Sequence, residues 1–355
     1  MKPDIDALYY DAIDLLKEMI AIPSFSREEN RVADHIEDYI KRNGYTPHRK
    51  GNNIWILSPD FDNAKPTILL NSHIDTVKPV NGWTVDPFTP TVEDDVLYGL
   101  GSNDAGASVV SLMHTFFLLT EKPQDYNLVF LASCEEEVSG KGGVESTLPE
   151  LPAFTFGIVG EPTGMNPAIA EKGLMVLDCI SHGVSGHAAR NEGVNAIYEA
   201  LKDIEWFRTF EFSEKSELLG PVKMSVTMID AGTQHNVVPD KCSFVVDVRS
   251  NEMYSNEDLF HIINKYTDCE IIPRSFRLNS SSISLENPFV ERALIIGKKP
   301  YGSPTLSDQA LMPFPTVKIG PGDSARSHTA DEYILLSEIR EAIELYYKLL
   351  NGLRI

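Results

Sequence analysis

This chain of 355 residues has little sulfur and comparatively few bases. Its four cysteines, Cys134, Cys179, Cys242 and Cys269, are scattered with no CxxC pair. That spacing fits reduced thiols in a cytoplasmic protein rather than disulfides. Lys and Arg number 31 against 52 Asp and Glu, a formal net charge of −21. Nucleic acid and anionic membrane surfaces are therefore poor partners, because their phosphates would be repelled. No 18 apolar residues run together, so the sequence offers no bilayer-spanning helix. The opening "MKPDIDALYYDAIDLLKEMI" carries charges throughout its apolar stretch and does not read as an export signal. The glycines of "GLGSNDAG" are spaced GxGxxxxG, which is not the dinucleotide fingerprint. "GKGG" lacks the upstream glycine and the Ser/Thr of a phosphate-binding loop.

What remains is an ordinary globular composition, 42% hydrophobic and 23% charged, at a length that favours two domains. Apolar side chains at Leu8, Ala12, Leu15, Leu16 and Met19 predict a first helix. "SREE" at 26–29 reads as a capping box opening a second helix, which "NG" at 43–44 closes. Short apolar runs at 53–57, 67–72, 127–133 and 156–160 read as strands, with an apolar helix over 107–120. Strands alternating with helices predict an α/β layer with a mostly parallel central sheet. Near residue 172 the texture changes to longer, partly alternating strands with two helices, and near 286 the first texture returns. We therefore expect a discontinuous catalytic domain, 1–172 and 286–355, with an inserted α+β domain at 173–285.

In open α/β sheets, ligands bind beyond the carboxyl ends of the strands. His73 and Asp75 follow the second run, Glu135, Glu136 and Glu137 the third, and Glu161 the fourth. Asp104 sits in a Gly-rich turn before the long helix, and His328 lies beyond "TVKIG". Each of these alone is most simply a solvated loop residue. Together, two imidazoles and several carboxylates suit Zn²⁺ or a similar ion better than Ca²⁺, which takes oxygen ligands. A carboxylate can bridge two ions about 3.5–4 Å apart, as in dinuclear hydrolases. A further carboxylate would move the proton from water to a leaving amine.

The stretches "SHIDTV", "GLGSNDAGAS", "CEEE", "GEPT", "GHAA", "HNVVPDKCSFVVDVR" and "SHTADE", in this order, resemble the dinuclear zinc amidohydrolases. That family includes acetylornithine deacetylase, succinyl-diaminopimelate desuccinylase and aminoacylase. The resemblance implies a zinc-exopeptidase-like catalytic domain carrying two zinc ions, with Co²⁺ or Mn²⁺ as substitutes. By similarity His73, Asp104 and Glu161 would hold one ion. Asp104 would bridge to a second, held also by Glu136 and His328. Glu135 would be the general base and Asp75 would orient His73. A shift of one within the triplet would instead make Glu136 the base and Glu137 the ligand. The inserted domain would be the family's lid and dimerisation module. From it His187 would reach the neighbouring subunit's site in a homodimer, while Asn236 and Arg249 would contact substrate.

Two departures stand out. Gly106 occupies a position that is often lysine, and Cys134 one that is often aspartate. The implied substrate is a small N-acyl amino acid. The motifs look most like the acetylornithine deacetylase branch, which places N-acetyl- or N-succinyl-ornithine or citrulline, in arginine biosynthesis, first. Succinyl-diaminopimelate desuccinylase, a dipeptidase or aminopeptidase, and a non-catalytic metal or amino-acid binding protein are the alternatives.

Overall fold

A computed structural model describes residues 5–355, so the first four residues of the N-terminal stretch lie outside the described residues. The chain divides into two compact units. Among the described residues, one comprises 5–169, 283–301 and 307–355. The other comprises 170–282 and the short segment 302–306, which the sequence pattern had left with the flanking domain.

The first unit is built on a sheet whose central strands are Asn127–Ser133, Thr67–His73, Phe156–Val159 and Thr316–Lys318, all parallel neighbours in that order. Asn53–Leu57 and then His48–Lys50 add antiparallel at one edge. Alternate side chains leave opposite faces of a strand, and the core divides accordingly. Ile68, Leu70, Leu128 and Phe130 join the larger apolar cluster with the helices Ile5–Ile20, Ala107–Thr120 and Leu336–Leu350. Leu69, Val129 and Leu131 face a smaller cluster with Val144 and Met312. Thirteen of the fourteen residues of Ala107–Thr120 are buried, so this helix packs on all sides rather than along one stripe. A small antiparallel sheet of Thr91–Glu93, Val96–Tyr98 and Tyr333–Leu335, which the sequence reading did not anticipate, lies off the main one.

The register aligns the carboxyl ends of the central strands. His73 pairs with Ser133, Asn71 with Val159, and Val159 with Lys318. Every candidate ligand expected after a strand therefore emerges along one edge.

The second unit is a four-stranded antiparallel sheet, with Lys223–Ala231 at one edge, then Lys241–Arg249, Met175–His182 and Glu270–Pro273. Burial alternates strictly along Met175–His182 and Lys241–Arg249. The inward residues Leu177, Cys179, Phe244 and Val246 pack with Ala200, Phe207, Leu259 and Ile263 of two helices.

Candidate metal centre

His73 ends its strand almost fully buried. Its Nδ1 lies 2.9 Å from the main-chain carbonyl of Asp75, which can only accept a hydrogen bond. Nδ1 therefore carries a proton, and Nε2 is the nitrogen that faces the acid cluster. From Nε2 the distances are 3.2 Å to Asp104 Oδ1, 3.7 Å to Glu161 Oε1 and 4.0 Å to Glu136 Oε2. The other oxygen of Asp104 is 3.7 Å from His328 Nε2, and that nitrogen lies 3.0 Å from Glu137 Oε2. One carboxylate thus divides its two oxygens between two imidazoles. Donor atoms of His73, Asp104 and Glu137 all lie within 4.8 Å of one another.

Glu137, not Glu136, stands against His328. Glu135 does not face the cluster: its carboxylate accepts from the Gly142 N–H at 3.3 Å and lies 3.8 Å from Arg27 Nε. Glu135 takes a left-handed φ of 56°, which turns its side chain into the following loop. Two glycines of that loop have a steric reason. A Cβ on Gly140 would lie 2.6 Å from Glu135 Cβ, and one on Gly143 would lie 2.4 Å from the main-chain oxygen of Cys134.

Asp75 does more than face His73. Its carboxylate, 3.5 Å from His73 Nδ1, accepts from the N–H groups of Glu136 and Glu137 at 3.0 and 3.1 Å and from Ser26 Oγ at 2.7 Å. The "SREE" stretch is not a capping box. The helix begins at Asn30 without a side-chain cap. Buried Glu29 accepts instead from the N–H groups of Arg27 and Glu135 and from Asn52 Nδ2. The capping pattern and this bracing role use the same residue types, so the sequence could not separate them. Asp308, which the sequence reading passed over, is buried and accepts from Ser133 Oγ at 2.6 Å.

Electrostatics follow from crowding like charges out of water. Burial, and then the neighbouring carboxylates, hold Glu136 well above the usual range. Burial and the Asp104 charge push Glu161 up to about 8. Burial opposes the His73 imidazolium, yet the charges of Glu136, Asp104, Asp75 and Glu161 outweigh it and raise this group. The Glu137 carboxylate pushes His328 up to about 9. Such a cluster of anions around two imidazole nitrogens is incomplete without added positive charge. Its N,O donor set fits two divalent ions. Cys134 is no nucleophile: burial pushes its thiol far above the range in which a thiolate forms. The glycine at 106 has a packing reason, since a Cβ there would lie 2.5 Å from Gly101 O and 2.7 Å from Leu16 Cδ1.

The second unit holds the other expected residues. His187 is exposed on the strand pair Gly186–His187 with Val237–Val238, and its Nδ1 accepts from Ala189 N–H at 3.1 Å. Asn236 is exposed beside it, its carbonyl accepting from Ala188 N–H. Arg249 grips Asp247 of its own strand through Nε and Nη2, at 2.8 and 3.1 Å.

A parallel sheet carrying a two-imidazole, multi-carboxylate cluster along its carboxyl edge defines a metallohydrolase. The model for "Peptidase family M20/M25/M40" matches residues 69–352, and the chain belongs to that family. It is a hydrolase acting on amide bonds. The chain is 26% identical over 340 residues to the succinyl-diaminopimelate desuccinylase of Orientia tsutsugamushi, covering 90% of this chain and 84% of the relative. It is 29% identical to that of Corynebacterium glutamicum over 276 residues, 74% of this chain and 72% of the relative. Among solved structures, an aminopeptidase of Bacillus cereus superposes with a TM-score of 0.77 at 19% identity, covering 97% of this chain and 98% of that one. A dinuclear metal-binding peptidase of Bacillus subtilis does so with 0.72 at 16% identity, covering 98% and 100%.

Proposed function

We propose that this chain hydrolyses the amide bond of an N-acyl amino acid, with N-acetyl- or N-succinyl-ornithine or citrulline as the favoured substrate. The observation that carries the reading is Asp104 reaching both imidazoles while Glu136 lies 4.0 Å from His73 Nε2. His73, Asp104 and Glu161 would hold one zinc ion, and Asp104, Glu137 and His328 the other. Bound ions would supply Lewis acidity to the carbonyl and to water at neutral pH. Glu136 takes a proton from the attacking water, whose oxygen bonds to the acyl carbon. It then gives that proton to the leaving nitrogen as the C–N bond breaks.

Asp75 orients His73 and braces the Glu136–Glu137 turn. His187, supplied by a second copy of the inserted domain, would stabilise the oxyanion. The exposed Met228 and Ile229 on the edge strand, and Tyr198 and Leu201 on the adjacent helix, support pairing of two copies. Asn236 and Arg249 would bind substrate, Arg249 only after leaving Asp247. A cytoplasmic setting accords with four free cysteines.

Both relatives are succinyl-diaminopimelate desuccinylases, which supports a second reading, hydrolysis of succinyl-diaminopimelate. A turnover screen over N-acetyl and N-succinyl derivatives of ornithine, citrulline, lysine and diaminopimelate separates the two. Exclusive turnover of the diaminopimelate derivative would overturn the first. Turnover of none, with ligand still bound, would favour a binding protein.

A further inference from the structure

We infer that Glu332 is a positioning residue for Asp104, an assignment that rests on the two-metal reading above. Glu332 is only 2% exposed. Its Oε1 accepts from the main-chain N–H groups of Asn103 and Asp104, both at 2.9 Å, and its Oε2 from that of Gly101 at 3.1 Å. Antiparallel pairing of Tyr333 with Tyr98, and the Gly99 N–H donating to Glu332 O at 3.0 Å, deliver the residue there.

The turn it holds cannot hold itself. Gly101 sits at φ 76°, and Asp104 at φ −121°, ψ 95°, outside helical geometry. Among the described residues, no main-chain carbonyl outside the 102–106 turn accepts from the N–H groups of Gly101, Asn103 or Asp104. A buried amide hydrogen without an acceptor is costly, so these three converge on one carboxylate.

The same turn is fastened to the segment carrying His328. Asn103 Oδ1 accepts from Asp323 N–H, and Asn103 Nδ2 donates to Asp323 O and to Ser327 Oγ. Glu332 itself lies four residues beyond His328. A shift of the 101–104 turn therefore moves the one carboxylate that faces both imidazoles and disturbs both halves of the site together. Groups behind a metal ligand that fix its aim change metal affinity by about 10- to 100-fold when removed.

Glu332→Gln keeps one carbonyl oxygen for Asn103 and Asp104 but sets an NH₂ against the Gly101 N–H. Glu332→Ala removes all three acceptors. The control is Tyr126→Phe, which deletes a buried hydrogen bond to Leu350 O in the same unit and touches no ligand turn. Metal-depleted full-length proteins are titrated with Co²⁺ by calorimetry and visible absorption, at a temperature where far-UV circular dichroism shows each folded. We expect Glu332→Ala to bind Co²⁺ about 10- to 100-fold more weakly, with changed d–d bands and a fall mainly in kcat. Glu332→Gln should be intermediate, and Tyr126→Phe should match wild type apart from a lower Tm. If Glu332→Ala does not fold, Glu332→Gln carries the test. Wild-type affinity and spectrum in the folded Glu332 variants overturn the inference alone. Failure of the wild type to take up Co²⁺ overturns the two-metal reading and this inference with it.

Discussion

The acidic triplet offers the sharpest test, because three adjacent carboxylates are assigned three different jobs. Replacing each in turn by glutamine preserves size and removes the charge. Glu136 has the only triplet carboxylate pointing at His73 without lying against His328, at 4.0 Å. Losing its proton transfer should cost about 10²–10⁴ in kcat, or about 2.7–5.4 kcal/mol of transition-state stabilisation. Metal content should be retained. Glu137→Gln removes a donor 3.0 Å from His328 Nε2 and should lower ion stoichiometry toward one. Glu135→Gln disturbs only one N–H contact at 3.3 Å and a loose approach to Arg27, so its effect on kcat should stay below about tenfold. The measurements are steady-state release of free amine and metal content by plasma mass spectrometry on the same preparations. A Glu135→Gln protein as inactive as expected for Glu136→Gln, with Glu136→Gln close to wild type, would refute the geometric assignment and restore the register read from sequence.

Four further outcomes are expected. Chelation should abolish turnover, and restoring zinc at about 100 times its Kd should raise stability by about 2.7 kcal/mol, read as a Tm increase; activity that survives chelation contradicts the mechanism. In the metal-free protein Glu161, raised from 4.5 to about 8, and His328, raised from 6.5 to about 9, both bind protons more tightly folded than unfolded. Their stabilisation is lost as pH rises through those values, so Tm should fall between pH 6.5 and 9, and a flat or rising Tm would contradict this. Gly143→Ala, whose Cβ would lie 2.4 Å from the main-chain oxygen of Cys134, should destabilise by about 1–3 kcal/mol in urea unfolding. Mixing His187→Ala subunits with Asp104→Ala subunits should recover partial activity, and a demonstrated heterodimer without any would exclude action in trans.

Much of this molecule was legible because some constraints are local. Strand and helix periods are set by which side chains must be buried. The residues that end strands in an α/β sheet mark its binding edge, which singles out His73, Asp104, Glu161 and His328 in the sequence. By itself the sequence determined the sheet, the long buried helix and the inventory of donor atoms. Only the tertiary structure decided where each of three consecutive carboxylates points, because one left-handed residue at Glu135 rotates the triplet and no periodicity reports a single φ. It also decided that Glu29, Asp75 and Glu332 hold the acid-bearing turns. Their partners are main-chain N–H groups as much as 231 positions away, and every residue supplies that donor except proline, so the amino-acid sequence carries no mark of the contact.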